Sequence, residues 1–205
     1  MSQKKQKFLK LFADAEKKYG KSEKRLAGDA WEEPWQTLIA TILSAQTRDE
    51  VTIPIAENLF KKYPSLNSLS KAQEKDILNI IKSINYNKTK ARNISKAAHY
   101  LMQKHQGKIP NKLGQLLEIP GVGLKTANLV LSEVHQQHTI TVDTHVHRIA
   151  NVFGIVKTKS PNETEKELRK IAPKKYWSQI NRYFVLLGKD VPGKERERFL
   201  EKLKK

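Results

Sequence analysis

Apolar residues recur along the chain with the period of an α-helix. Between residues 35 and 43 they form one stripe at helical spacing: Trp35, Leu38, Ile39, Ile42 and Leu43. The same rhythm returns over residues 77–84 and again over 94–102. Each of these three stretches is therefore predicted to be a helix with one buried face.

Capping and turn residues divide the rest of the chain into short segments. Ser70 with Gln73, and Ser160 with Glu163, each fit a capping box at the start of a helix. Prolines and glycines separate about ten predicted helices. The best strand candidate, Thr139–Val142, is too short to form a sheet. The predicted fold class is all-α.

The balance of charge favours a polyanionic partner. The chain has 39 Lys and Arg against 21 Asp and Glu, a net charge of +18. Between residues 77 and 117 it has no acidic residue and eight basic ones: Lys82, Lys88, Lys90, Arg92, Lys96, Lys104, Lys108 and Lys112. A solvated lysine-rich surface is the simpler interpretation of this stretch. However, because the cationic stretch is uninterrupted, it favours nucleic acid as the partner, whose phosphates it can neutralise.

The composition also excludes several classes of protein. The chain has no cysteine, which excludes disulfides, thiolate nucleophiles and cysteine-ligated metals or iron–sulfur clusters. It has no apolar run of membrane-spanning length, and no apolar stretch follows its basic N-terminus as in a secretory signal. Neither His145 nor His147 is accompanied by the further ligands that a metal site needs, so no metal is expected. We expect a cytoplasmic, nucleoid-associated protein.

Residues 111–135 predict two helices joined by a tight turn, I-P-G-V-G. Pro120 ends the first helix, because the residue before a proline is disfavoured in the α region. Gly121 and Gly123 lack Cβ, so they can take a positive φ and let another backbone come close. The second helix begins near Leu124, and its first N–H groups are expected to bind one DNA phosphate.

Four separated stretches resemble the endonuclease III family of DNA glycosylases. I-P-G-V-G-L-K-T-A at 119–127 resembles that family's helix-hairpin-helix signature. T-V-D-T-H-V-H-R at 141–148 resembles its catalytic-aspartate segment, and L-I-A-T-I-L-S-A-Q-T-R-D at 38–49 its duplex-probing helix. A further match is I-K-S-I-N-Y-N-K-T-K-A-R-N-I at 81–94. All four share one register, so the resemblance spans about residues 30–190.

The resemblance implies two all-α lobes with DNA bound in the cleft between them. The first would be a continuous six-helix lobe, residues 27–136, that carries the helix-hairpin-helix. The second would combine residues 1–26 with 137–205 and would lack an iron–sulfur cluster. The active site would lie at their junction.

The resemblance assigns the chemistry to Lys125 and Asp143. A lysine attacks C1′ of the sugar only as a neutral amine, and the positive end of a helix dipole disfavours the ammonium form. Lys125 alone could equally be a phosphate-binding lysine. Asp143 precedes a helical run, so it also fits an N-cap. The two roles of Asp143 are compatible, because a fixed anion stabilises positive charge on the sugar.

The target base must leave the duplex before an amine can reach C1′. By resemblance, Gln46 and Tyr86 fill the gap, although Gln46 also fits an exposed helix end and Tyr86 fits core packing. The family commonly has leucine where this chain has Tyr86. His145 would position the Asp143 loop or a phosphate, and a purely structural histidine is the alternative. The remaining expected DNA contacts are in the hairpin: Gly121, Val122, Gly123 and Thr126.

The largest departure from the family is at the C-terminus. After Lys189 the family usually continues into four cysteines that hold an iron–sulfur cluster, and this chain has none. No cofactor is therefore expected. Phe199 and Leu203 are spaced to dock a final helix, and we expect this tail to replace the structural role of the cluster and part of its DNA contact.

Three activities stay open from the sequence. The first is a bifunctional glycosylase and AP lyase acting on oxidised pyrimidines. The second is a uracil or thymine mismatch glycosylase of the same superfamily, although such relatives often lack a lysine like Lys125. The third is a non-catalytic DNA-binding module that retains the hairpin. The expected partner is double-stranded DNA with a damaged base or an abasic site, bound by a monomer.

Overall fold

The protein is helical throughout the residues that its computed structural model describes, 1–204. Lys205, the last residue of the predicted second lobe, lies outside them. No strand is present in this range, so the predicted all-α class is confirmed. A 3₁₀ turn covers Lys174–Tyr176. The helices are α1 (Gln3–Tyr19), α2 (Pro34–Ser44), α3 (Asp49–Lys62), α4 (Leu66–Ser70), α5 (Glu74–Ile80), α6 (Asn87–His105), α7 (Leu113–Leu117), α8 (Leu124–Glu133), α9 (Thr144–Val152), α10 (Pro161–Ile171), α11 (Trp177–Asp190) and α12 (Arg196–Lys204).

The helices divide into two compact units. One is continuous and covers Arg25–Gln136, and the other combines Met1–Lys24 with the chain from Gln137 onward. The sequence predicts 27–136 for the continuous lobe. That unit contains seven helices, α2 to α8, and the predicted number of six is wrong. Short helices are hard to count from periodicity, since α4 and α7 have only five residues each.

The helix start predicted at Ser70 is misplaced, whereas the one at Ser160 is confirmed. Ser70 is the last residue of α4, which itself begins after a capping box of Ser65 and Ser68, and the helix that follows, α5, begins at Glu74 with Gln73 as its N-cap. Ser160 caps α10 and accepts a hydrogen bond from the Glu163 N–H at 3.3 Å. The periodicity alone does not place Ser65, because α4 is too short to repeat an apolar stripe.

The core of the continuous unit forms around α2 and α6. All five residues of the predicted stripe in α2, from Trp35 to Leu43, are buried. The inner face of α6 is buried as well, with Ile94, Ala97 and Leu101 fully enclosed. This packing holds the C-terminal end of α2 beside the N-terminal end of α6. Both ends continue into turns that carry predicted site residues.

The core of the discontinuous unit is aromatic. Phe12 of α1 packs on Tyr176 and Tyr183, with ring centroids 4.4 and 5.4 Å apart. Phe199 of α12 is fully buried, and its ring lies 5.9 Å from that of Phe153. α9 packs against α11. The final helix is therefore docked on this unit as predicted, through one enclosed phenylalanine. No helix among residues 1–204 is long and apolar enough to cross a membrane.

Candidate active site and nucleic-acid interface

The predicted hairpin is present as α7, a turn at residues 118–123, and α8. Ile119 anchors the turn in the core, and its carbonyl accepts a hydrogen bond from the Val122 N–H at 3.0 Å. Val122 is itself buried, so its side chain packs inward and holds the turn rather than facing solvent. The neighbouring glycines are exposed. Only the backbone at Gly121 and Gly123 is thus presented to a ligand.

The two glycines of the turn serve different purposes. Gly121 has φ +83°, and a Cβ built on it would lie 2.8 Å from the Asn93 Cβ. Gly123 has φ −99° and is the N-cap of α8, and a Cβ there would meet nothing within 4 Å. Both glycines can take a positive φ, and only Gly121 does so. Gly123 is extended because it is the residue from which the helix starts.

These two positions give a matched pair of alanine variants. Gly121→Ala combines a strained φ with a clash, so we expect it to lower the free energy of unfolding by about 1–3 kcal/mol. Gly123→Ala is expected to cost less than about 1 kcal/mol, the usual range for an N-cap change. Its added methyl group occupies the open space outside the turn, so the affinity for duplex DNA is expected to fall. Thermal unfolding and a DNA titration separate the two effects, and equal stability of both variants would contradict this assignment.

Lys125 lies on the first turn of α8. The N-cap is Gly123, so no side chain caps this helix, and its first N–H groups have no partner within the helix. Lys125 is the second residue of α8 and is half-buried. Thr126, the third residue of α8, is buried, with 8% of its surface exposed.

Asp143 is the N-cap of α9, in the other unit. Its Oδ1 accepts a hydrogen bond from the Val146 N–H at 2.9 Å, and its side chain is half-buried. The capping role that the sequence predicts is therefore confirmed. The same bond fixes the direction of the carboxylate at the end of the helix, where the positive end of the dipole stabilises its negative charge.

His145 lies two residues after Asp143 and packs against α11. A Cβ added to Gly188 would come within 2.5 Å of the His145 Nδ1, so glycine is required there. Arg148 donates to the carbonyls of Gly188 and Val191 at 2.6 and 3.1 Å, and its Nη2 lies 3.4 Å from the His145 Nδ1. Burial lowers the pKa of His145, and the nearby Asp143 only partly opposes this. The half-buried imidazole packs the Asp143 segment onto α11.

Gln46 and Tyr86 occupy matching positions on two turns. Both have left-handed backbones, with φ +54° and +57°, and both are exposed, Tyr86 to 65%. The exposure excludes core packing for Tyr86. Asn85 Nδ2 donates to the Gln46 carbonyl at 2.5 Å, so the structure brings the two turns together.

Lys90 is buried, although the run of basic residues in the sequence predicts it to be part of a cationic surface. Only 5% of it is exposed, and its Nζ donates to the carbonyls of Leu43 and Ala45 and to Thr47 Oγ1 at 2.7, 2.6 and 3.1 Å. The other seven basic residues of that stretch are exposed. The signal that could have found Lys90 is its spacing, four residues before Ile94 on the apolar face of α6.

The residues present do not fit an iron–sulfur cluster. Such clusters are held by cysteine thiolates, and the chain has no cysteine. Among residues 1–204, no group of three or more His, Asp or Glu side chains is arranged to hold a metal ion.

Comparisons with known proteins identify the family of this chain. Residues 39–174 match the model of the HhH-GPD superfamily base excision DNA repair protein. Endonuclease III of Thermotoga maritima is 41% identical over 159 residues, which cover 78% of this chain and 75% of that protein. Endonuclease III of Synechocystis sp. is 35% identical over 162 residues, covering 78% and 74%.

Solved structures give the same result. A trapped endonuclease III–DNA covalent intermediate matches with a TM-score of 0.84 at 32% identity, covering 93% of this chain and 88% of that one. A non-covalent endonuclease III–DNA complex matches with a TM-score of 0.87 at 28% identity over the whole of both chains. The chain belongs to the endonuclease III family of the HhH-GPD superfamily of base excision DNA repair proteins.

Proposed function

We propose that this protein is a DNA N-glycosylase with AP lyase activity that removes oxidised pyrimidines from duplex DNA. The observation that carries the proposal is the position of Lys125. It lies on the first turn of α8, an uncapped helix that directly follows the turn of the hairpin. The similarity to a trapped endonuclease III–DNA covalent intermediate supports it, because a covalent intermediate needs a nucleophile on the protein.

In the proposed reaction, the neutral Lys125 amine attacks C1′ of the damaged nucleotide. The bond from C1′ to the base breaks, and the base leaves with the bonding electron pair and takes up a proton. The sugar ring opens to a Schiff base on Lys125, which makes the C2′ proton acidic. Loss of that proton expels the 3′ phosphate by β-elimination, and water then releases the amine.

Asp143 would act as a fixed negative charge in this reaction. Positive charge develops on the sugar as the base departs, and a preorganised carboxylate stabilises it without reorganising. The hydrogen bond from the Val146 N–H supplies that preorganisation. His145 would be a positioning residue, since its ring packs against α11 and holds the segment that carries Asp143.

DNA would be held through its backbone and opened by two side chains. The free N–H groups at the start of α8, next to Gly123, suit one phosphate. The seven exposed cations from Lys82 to Lys112 add sequence-independent affinity. Gln46 and Tyr86 project from adjacent turns, where an amide and an aromatic ring can replace an extruded base. The protein would bind damaged DNA as a monomer. Through this DNA it would be associated with the nucleoid.

The C-terminal tail would supply the packing that a cluster gives in the family. Phe199 is enclosed between the ring of Phe153 and the guanidinium of Arg148, which lies 5.5 Å from the Phe199 ring centroid. Lys202 Nζ lies 3.3 Å from Asp190 Oδ2 at the end of α11. Both contacts tie α12 to the helices beneath it.

Phe199→Ala is therefore expected to lower the free energy of unfolding by about 3 kcal/mol, because it empties a fully buried site. The matched control on the same helix is Glu201→Ala, which is exposed and should change stability by less than about 0.5 kcal/mol. Chemical denaturation measures both. Deletion of residues 193–205 should lower stability or DNA affinity, and unchanged values for both would refute the proposed role of the tail.

Borohydride trapping tests the proposed activity. The protein is incubated with duplexes that contain thymine glycol, uracil, a mismatched thymine or an abasic site, and borohydride reduces any Schiff base to a stable adduct. We expect adducts with the abasic site and with thymine glycol. Excision of uracil or thymine without an adduct would support the mismatch glycosylase instead. Binding without excision and without an adduct would indicate a non-catalytic DNA-binding module.

A further inference from the structure

Lys90 and Asn85 join the turns that carry Gln46 and Tyr86. All three bonds from the Lys90 Nζ go to the segment 43–47, and two of the acceptors, Ala45 O and Thr47 Oγ1, flank Gln46 in the chain. Asn85, the residue before Tyr86, donates to the carbonyl of Gln46 itself. The turn around Gln46 is thus held at three consecutive residues by a segment that starts next to Tyr86.

This arrangement exceeds what helix capping requires. The C-terminal end of α2 has unpaired carbonyls and a negative dipole end, and a lysine there is stabilising. Capping accounts for the bond to Leu43 O, within the last turn of α2. It also accounts for the bond to the carbonyl of Ala45, the C-cap residue, but not for the bond to Thr47 Oγ1, two residues beyond that cap.

A buried cation is a costly way to hold a turn. The Lys90 bonds all go to neutral oxygens, so desolvation is offset by hydrogen bonds rather than by an ion pair. Burial lowers the pKa of Lys90 to about 8. An ammonium group has three donors, and all three are used here. No other side chain of this length satisfies three acceptors from one atom.

The left-handed backbones explain why the turns need external support. A positive φ is uncommon for residues other than glycine and is unfavourable unless the surroundings fix it. Gln46 and Tyr86 both have it, and neither is a glycine. Without the bonds from Lys90 and Asn85, each turn would be free to relax, and the placement of the two turns relative to each other would no longer be fixed.

We infer that Lys90, with Asn85, is a positioning residue that locks the Gln46 and Tyr86 turns into one rigid unit for insertion into the duplex. This inference rests on the proposed function of those two side chains. Opening a duplex requires the inserted groups to arrive together, and a displacement of about 1 Å can slow a reaction by roughly 100-fold. Lys90 itself touches no DNA in this arrangement, because it is buried beneath the turns.

Lys90→Met tests the inference, since methionine keeps the length of the side chain but has no donor. Hydrogen exchange of the amides in residues 44–48 is expected to accelerate by about 10-fold or more, because local opening becomes easier. Single-turnover excision should slow by roughly 10- to 100-fold. Affinity for undamaged duplex should stay within about 3-fold, because the exposed cations that supply it remain. Lys61→Met, at an exposed lysine of α3, is the matched control and should change none of these.

A double-mutant cycle separates positioning from general stability. If Lys90 acts through Gln46, Lys90→Met should slow excision by less than about 3-fold in a Gln46→Ala background. An undiminished effect in that background would overturn the inference. So would unchanged hydrogen exchange at residues 44–48 in Lys90→Met.

Two milder variants serve if Lys90→Met does not fold. Thr47→Val removes one acceptor, and Asn85→Ala removes the bond to the Gln46 carbonyl at an exposed position. Both should accelerate exchange at residues 44–48, and normal exchange in both would again refute the locking role. Hydrogen exchange does not depend on turnover. A wild-type protein without excision activity would therefore refute the proposed function while the exchange result still decides the role of Lys90.

Discussion

Replacing Lys125 with glutamine is expected to abolish the borohydride-trapped adduct on abasic-site DNA and to slow strand cleavage by about 1,000-fold or more. Glutamine keeps most of the length of the side chain but supplies no amine, so no Schiff base can form. DNA affinity should change little, because the N–H groups at the start of α8 and the exposed cations are retained. The measurements are gel detection of the adduct and single-turnover cleavage.

The loss of one positive charge needs its own control. Lys104→Gln removes the same charge from an exposed position on α6 and should leave the adduct intact. If Lys125→Gln still forms the adduct, another amine is the nucleophile and the assignment of Lys125 is wrong. If DNA binding falls to the same extent as cleavage, Lys125 is a phosphate ligand, the alternative that the sequence left open.

The hairpin shows how far local sequence determines the site. Pro120 and the two glycines predict a turn between helices, and the first helix ends before Pro120 and the second begins at Leu124 as predicted. The conformations of Gly121 and Gly123 differ because one approaches Asn93 on α6 and the other starts α8. Asn93 is distant in sequence, and no local pattern indicates which glycine will meet it.

Lys90 shows the opposite case, in which local chemistry misleads. A lysine in a run of exposed cations is read as surface, since lysine is rarely buried without a partner. Two of its three partners are backbone carbonyls more than 40 residues earlier in the chain, and carbonyls carry no sequence signal. Periodicity places Lys90 on the apolar face of α6, but only the packed structure shows why that position tolerates an amine.

Gln46 and Tyr86 lie between these cases. The resemblance to endonuclease III selects both residues, and exposure fits the predicted roles. Their left-handed backbones were not predicted, because neither residue type favours a positive φ. In the proposed insertion, Tyr86 would offer an aromatic ring that can stack on the neighbouring bases, whereas the leucine common in the family would only wedge between them.

Asp143→Asn is the second variant with a large expected effect, because it separates capping from charge. Asparagine caps helices about as well as aspartate, so α9 and the free energy of unfolding should change by less than about 0.5 kcal/mol. The fixed negative charge is lost, and single-turnover base excision should fall by roughly 100-fold or more. Thermal unfolding and excision kinetics are compared on the same preparation.

Two further variants complete the test of Asp143. Asp143→Ala loses both the cap and the charge, so it should match Asp143→Asn in excision and be less stable by about 1 kcal/mol. Ser160→Ala removes a cap of the same kind from α10 and should lower stability by a similar amount with excision unchanged. An Asp143→Asn protein that excises bases at the wild-type rate would reduce Asp143 to a helix cap. The negative charge that stabilises the sugar would then have to come from another side chain.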